Sequence, residues 1–447
     1  MSLTTRLLII AGAALGIAAV GARIARADDI PPPIDNGDVV NPINIISGAG
    51  IKVGEGSVLH PQAGLDLGYI SNVFYESSNP TGSGILRVLL EAGLSSLSAQ
   101  RLQPNDASTP QRNNVGSFVY DLNGFLEFDQ YLTGNEAVLH QGGFSGGVLA
   151  RGTVNPNKPV QFQFLEQYNR LIRATNFESR ADLDRDVNAL NLRLLYQPEG
   201  RSLGGYAYYI NTLDLFEDKN QRFADRFMNT VGARLIYQWL PLTRFYLDVS
   251  ESVDTGVGDT STKATAYPLV AVVGAQTALT SKTALNARVG YTQGFYSAGP
   301  SYQTVVGGVE LDYKYSPVGQ ASLLYSYDHA DSINANFYRD HLIRASIEQS
   351  YAPFSFYVAP ELRFRLYDGV TQVVDIVGPD TRTDTIFDVN AGVRYMFKDW
   401  IAGVINYNLT VDSTDYRYTT VGDHDPATNV NPSYTRHEIM LGVRATY

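Results

Sequence analysis

The stretch "HEIMLGVRATY", residues 437–447, decides the fold. Ile439, Leu441, Val443, Ala445 and Tyr447 are apolar, and Met440, Gly442, Arg444 and Thr446 alternate with them. Strict period-two alternation is the mark of a strand with one apolar and one polar face. In a soluble domain, a strand that ends the chain as an apolar edge would invite pairing with other chains. The alternation makes sense if the strand has a neighbour on each side, lipid against one face and water against the other.

The same unit recurs from about residue 57 to the end. Stretches of ten or more residues alternate and then give way to turn residues. Leu65, Leu67 and Tyr69 form one apolar face; Phe245, Leu247 and Val249 another; Val305, Val309, Leu311 and Tyr313, then Ala391, Val393, Tyr395 and Phe397, repeat it. The opposite faces carry Asp66, Asp248, Glu310, Asp312, Arg363, Arg365 and Arg394. About 18 such segments can be counted, too many for one soluble sandwich and even in number, as in bacterial outer-membrane barrels. The connections alternate as well. Short turns at 197–200, 240–242, 280–282, 316–318, 351–353 and 398–399 are interleaved with the longer polar stretches 174–186, 217–227, 254–264, 369–385 and 412–433. Short turns at one end and long loops at the other are expected of a transmembrane antiparallel β-barrel with both termini in the periplasm. Two connections break the rule, 100–114 being long and 297–300 short. The strand-end aromatics Tyr206, Tyr208, Tyr325, Tyr327, Tyr395 and Phe397 are read as interfacial girdles.

Composition narrows the function. Of 447 residues none is cysteine, which excludes disulfide scaffolds, cysteine enzymes, zinc–cysteine sites and a lipidated cysteine. The formal charge of −11 speaks against nucleic acid as a partner. Arg6, an apolar run over 7–22 and the sequence Ala25-Arg26-Ala27 read as a signal peptide over 1–27, so export is expected. Residues 28–56, with Pro31-Pro32-Pro33, read as an extended periplasmic segment, and 57–447 as the barrel.

Catalytic constellations are sparse. His140 and Ser145 are neighbours in sequence, in "HQGGFSGGVL", but a strand would set them on opposite faces. His424 between Asp423 and Asp425, and the stretch "DTGVGDTST" at 254–262, lack the spacing of a cation loop. No catalytic residue, metal site or cofactor is expected. The inward charges are the candidate site: Arg344, Arg363, Arg365, Arg394 and Arg444, with Glu310, Asp312 and Tyr357, would line a water-filled pore and set its selectivity.

Two resemblances sharpen this reading. "VLHPQAGLDLGYISNVFYE", residues 58–76, resembles the opening strand of the second-type β-barrel porin family of bacterial outer membranes, through Gly68, Tyr69, Asn72, Val73 and Phe74. The resemblance implies a pore linked to capsule or exopolysaccharide export, with polysaccharide as substrate and a separate periplasmic export protein as partner. The C-terminal strand resembles the signal read by the barrel-assembly machinery, with Gly442, Ala445 and Tyr447 at its spacing. The expectation is therefore an outer-membrane polysaccharide-export pore embedded in outer-membrane lipid. Its alternatives are a passive diffusion porin for small solutes and a plugged structural or adhesion barrel.

Overall fold

The computed structural model describes residues 44, 46, 48–96, 116–156, 158–173, 184–370, 376–417, 419–420 and 431–447. The signal peptide, residues 28–43 of the 28–56 segment, the 100–114 connection and the His424 loop lie outside the described residues.

Eighteen antiparallel strands close into one barrel. They are β1 (Ser57–Ile70), β2 (Ser83–Ser96), β3 (Phe118–Leu132), β4 (Gly143–Val154), β5 (Val160–Leu171) and β6 (Arg185–Tyr196). Next come β7 (Leu203–Phe216), β8 (Arg226–Leu240), β9 (Thr243–Gly256), β10 (Ala266–Ala278), β11 (Thr283–Tyr296) and β12 (Tyr302–Ser316). The last are β13 (Gly319–Asp331), β14 (Ala335–Tyr351), β15 (Phe354–Val370), β16 (Thr381–Lys398), β17 (Ile401–Thr414) and β18 (Tyr434–Thr446). Each strand pairs with its sequence neighbours, and β18 closes on β1 from Gln62↔Thr446 to Ile70↔Glu438. The terminal stretch is thus flanked by β17 and β1 and leaves no free edge.

The alternation runs outward–inward as the sequence predicts. On β1, Leu65, Leu67 and Tyr69 are half exposed on the outside while Asp66 between them is 2% exposed. On β18, Ile439, Leu441 and Val443 point outward while Met440 and Arg444 are buried inside. An apolar exterior around a charged interior, with every strand paired, satisfies backbone polar groups in a bilayer. The girdle assignment needs one correction. Tyr325, Tyr395 and Phe397 face outward, but Tyr206 and Tyr208 share the inward face with Arg234 and Asp248; Tyr208 donates to Asp248 Oδ1 at 2.9 Å. Apolar residues occupy both faces of β7, so alternation alone mistakes the side.

The connections are asymmetric. The end carrying the chain termini has turns as short as 241–242, 317–318, 352–353 and 399–400, whereas the opposite end has 71–82, 133–142, 217–225 and 257–265. His140 lies just after a short helix, Glu136–Leu139, in the β3–β4 connection, and Ser145 on β4; the expected continuous strand through both does not form.

The described part of the leader enters the barrel at the terminal end. The Ile46 amide donates to Gln62 Oε1 at 3.1 Å, Asn406 Nδ2 to Asn44 Oδ1 at 2.8 Å, and the Gly50 amide to the Tyr447 carbonyl at 3.0 Å. Gln62 and Asn406 both face inward, so this stretch lies against the inner wall. Ile51–Val53 then pairs with the start of β1.

Candidate functional site

The inner wall is built from ion pairs set by strand register. Arg87 and Asp129 are direct cross-strand partners on β2 and β3, and Nε donates to Oδ1 at 2.8 Å. Arg234 and Asp248 are partners on β8 and β9, at 2.6 Å. Asp340 and Arg365 are partners on β14 and β15, joined by two bonds of 2.7 Å. Opposite charges directly across an antiparallel pair contribute about 0.2–1 kcal/mol each, so strand register by itself brings these partners together.

Four of the five expected pore-lining arginines, Arg344, Arg363, Arg365 and Arg394, come together on one sector, but they differ. Arg365 is fully buried, its guanidinium also 3.9 Å from the Tyr338 ring centre. Arg363 is 5% exposed, between Asp340 at 3.1 Å and Glu361. Arg344 donates to Glu361 Oε2 at 2.5 Å and Arg394 to Ser355 Oγ at 3.2 Å, and both are only half buried. Arg444 lies apart from these four, bound to Asp66 with Nη2–Oδ2 at 2.9 Å. Glu310 and Asp312 face inward on β12, and Tyr357 on β15 beside that sector. Arg363, Arg365 and Arg444 are therefore built into the wall, while Arg344 and Arg394 present their charge to the lumen. Sequence reasoning could place all five inward; it could not tell which carboxylates neutralise them.

Two elements at the long-loop end fold into the lumen, and neither was foreseen. Arg173, just past β5, reaches Glu127 and Asp129 on β3 and lies 4.0 Å from Glu438 on β18. Burial opposes its charge, but the three carboxylates outweigh burial and hold its pKa well above the ordinary arginine value. On the other side, Asp331 at the tip of the β13–β14 hairpin pairs with Arg226 on β8, five strands away. Lys263, from the β9–β10 loop, adds a pair to Asp331 at 3.2 Å and a bond to the Ala335 carbonyl at 2.9 Å. Ile333 in the hairpin turn packs on Phe216 and Ala224 and is 4% exposed. A hairpin tip that meets a strand five positions round the barrel has turned inward across the mouth. Arg226 also bonds Asp214, which Arg185 meets at 3.2 Å, so this clasp is continuous with the wall.

The residues behind the porin resemblance have a local role here. Asn72, 1% exposed, donates to the carbonyls of Glu76 at 2.8 Å and Thr435 at 3.2 Å, tying the β1–β2 loop to β18. Val73 packs with Ile70, Ile85, Tyr131, Val138 and Met440 beneath that loop. Among the described residues no cluster of three or more histidine, aspartate or glutamate side chains could hold a metal ion.

No protein-family model and no curated protein matches the chain. Solved structures give distant likenesses. OpdK of Pseudomonas aeruginosa, crystallised with vanillate, is 10% identical over 87% of this chain and 99% of that one, with a TM-score of 0.45. OccK2 (OpdF) of the same species, in complex with glucuronate, is 10% identical over 87% and 98%, with a TM-score of 0.42. OccAB3 of Acinetobacter baumannii is 10% identical over 87% and 99%, with a TM-score of 0.44. At these values the fold rests on the chain's own strands: a closed barrel of eighteen strands, apolar outside and charged inside, is a protein of the bacterial outer membrane.

Proposed function

We propose that the protein is a diffusion channel for small polar solutes. The observation that carries this is the inward-folded clasp at the long-loop end, Arg226–Asp331–Lys263, set in a barrel whose lumen is lined by paired charges. Barrels of this strand number enclose a water-filled passage rather than a packed core. Paired acids and bases along the wall keep that passage wet without a strong net field, which suits small hydrophilic solutes of either sign. The clasp narrows the mouth with Arg226 at the start of β8, Lys263 from the β9–β10 loop and Asp331 at the end of β13.

The export of polysaccharide gives way to this alternative. A polymer leaving through the long-loop end would have to part both the Arg173 cluster and the Asp331 clasp, and each is ion-paired and largely buried. The plugged structural barrel is distinguished by conductance. The purified protein in planar bilayers should give stable single-channel steps, and proteoliposomes should swell in small sugars faster than in oligosaccharides. Absence of steps together with equal swelling rates for all solutes would remove the channel reading; unimpeded passage of long oligosaccharides would restore export.

A further inference from the structure

The wall is not laddered all the way round. Pairing between β12 and β13 stops at Gly307↔Tyr327 on the long-loop side. Both strands continue beyond that point, β12 through Val306 to Tyr302 and β13 from Asp328 to Asp331. There β12 keeps its partner β11 as far as Gly294↔Tyr302, and β13 keeps β14 through Asp331↔Phe337. Among the described residues, no register pair joins 302–306 to 328–331. The β13–β14 hairpin has swung out of the cylinder and into the lumen, where Arg226 and Lys263 hold its tip.

Side chains fill the resulting seam. Tyr302 stacks on His329 with centroids 4.5 Å apart and meets Phe337 at 4.7 Å; Tyr296 meets Phe337 at 5.7 Å. Below them Arg288 bonds Asp328 at 2.5 Å. The outside of the wall beside the seam is apolar: Phe295 is 55% and Val305 59% exposed, with Tyr291 and Tyr325 outward nearby. An apolar path therefore runs from the outer margin of the lipid-facing band, past Val305, to the ring cluster packed between the wall and the inward-turned hairpin. Unpaired backbone at this depth is tolerated only where it is buried or lines a cavity. An unlatched pair of strands also opens at lower cost than a continuous ladder.

We propose that the seam between β12 and β13 is a lateral portal between the lumen and the lipid-facing surface, for small apolar solutes carrying an aromatic ring. The rings of Tyr296, Tyr302, His329 and Phe337 are its seal, and they offer such a solute the edge and face contacts that they now offer one another. The proposal rests on the channel reading, since a solute must first reach the lumen.

The chain has no cysteine, so single thiols can be placed cleanly. Thr304→Cys puts one on the lumen side of the seam, Val305→Cys on the lipid side, and Ser322→Cys on the lumen side where both ladders are intact. In proteoliposomes, a maleimide carried on a phospholipid acyl chain is the probe. Thr304→Cys should react roughly tenfold faster than Ser322→Cys, the gap expected between an unladdered and a laddered stretch of backbone. Its rate should approach that of Val305→Cys. Adding Tyr302→Ala and Phe337→Ala should raise the rate further. Heat-modifiable migration verifies that each variant is folded. Equal slow rates for Thr304→Cys and Ser322→Cys, in both backgrounds, overturn the portal. Single-channel conductance is read on the same samples: conducting protein with no lipid-side labelling refutes the portal alone, whereas non-conducting protein refutes the channel.

Discussion

Asp340 shows how much one lumen residue holds. It accepts from Arg365 Nε and Nη2 and from Arg363, and Arg365 has no exposed surface. Two wall arginines thus share this carboxylate, although Arg363 also pairs with Glu361. Removing one member of a buried, hydrogen-bonded ion cluster leaves uncompensated charge and costs about 3–5 kcal/mol. Asp340→Ala should therefore lower the temperature at which the folded band is lost in heat-modifiable gels, while Arg344→Gln, whose head group is partly in the lumen, should leave it nearly unchanged. By the same logic, neutralising Arg363 or Arg365 should destabilise the barrel, whereas neutralising the half-buried Arg394 should cost far less. Gly442 gives the complementary case. It faces inward, and a Cβ there would collide with the Asp66 carboxylate and crowd the Arg444 guanidinium. Its glycine has a steric reason beside the assembly signal that we propose it shares with Ala445 and Tyr447. Deleting Tyr447 should reduce outer-membrane levels in cells and spare refolding of purified chain in detergent; Gly442→Val should impair both. Equal cellular levels for wild type and the Tyr447 deletion would reject the signal.

At the scale of elements, the strands were legible and their tips were not. Phe354, Phe356 and Val358 alternate with Ser355 and Tyr357, and the structure sets the first three outside. Period two reports a face because lipid and water lie on opposite sides of one sheet. It fails on β7, where Tyr206 and Tyr208 are aromatic yet inward, their hydroxyl and ring contacts being with Asp248 and Arg234. It is silent on the β13–β14 hairpin, because nothing in "DSINAN" announces that Asp331 meets Arg226, 105 residues earlier. Such contacts depend on where a finished barrel carries its loops, and no local pattern encodes that. Loop asymmetry, by contrast, is local and carries a topology prediction. With no native thiol, Lys219→Cys in the 217–225 loop should react with an impermeant maleimide on intact cells, and Lys282→Cys in the 279–282 turn only after the outer membrane is opened. The reverse labelling pattern would turn the barrel upside down.

For the whole molecule, the question is what limits passage. A barrel of eighteen strands has interior width to spare, so its selectivity has to come from whatever reaches into that width. Here three connections do so, held by ion pairs together with the apolar packing of Ile333: Arg173 on one side, and Lys263 with the β13–β14 tip on the other. Ion pairs weaken as salt rises, largely buried ones less than exposed ones, so the constriction should loosen modestly with ionic strength where an apolar plug would not. The paired substitution Arg226→Ala with Lys263→Ala removes both cations that hold Asp331. Conductance normalised to bulk solution should then rise at low salt, and the difference from wild type should shrink at high salt. The solute-size limit in liposome swelling should move up with it. Variants lacking Arg173 should act on the opposite side of the mouth and add to this effect, since the Arg173 cluster and the clasp share no residue. If conductance and size limit stay at wild-type values in the combined variant, the inward-folded loops do not set the limit, and the narrowest point of the channel must lie deeper, in the sector between Arg344 and Arg394.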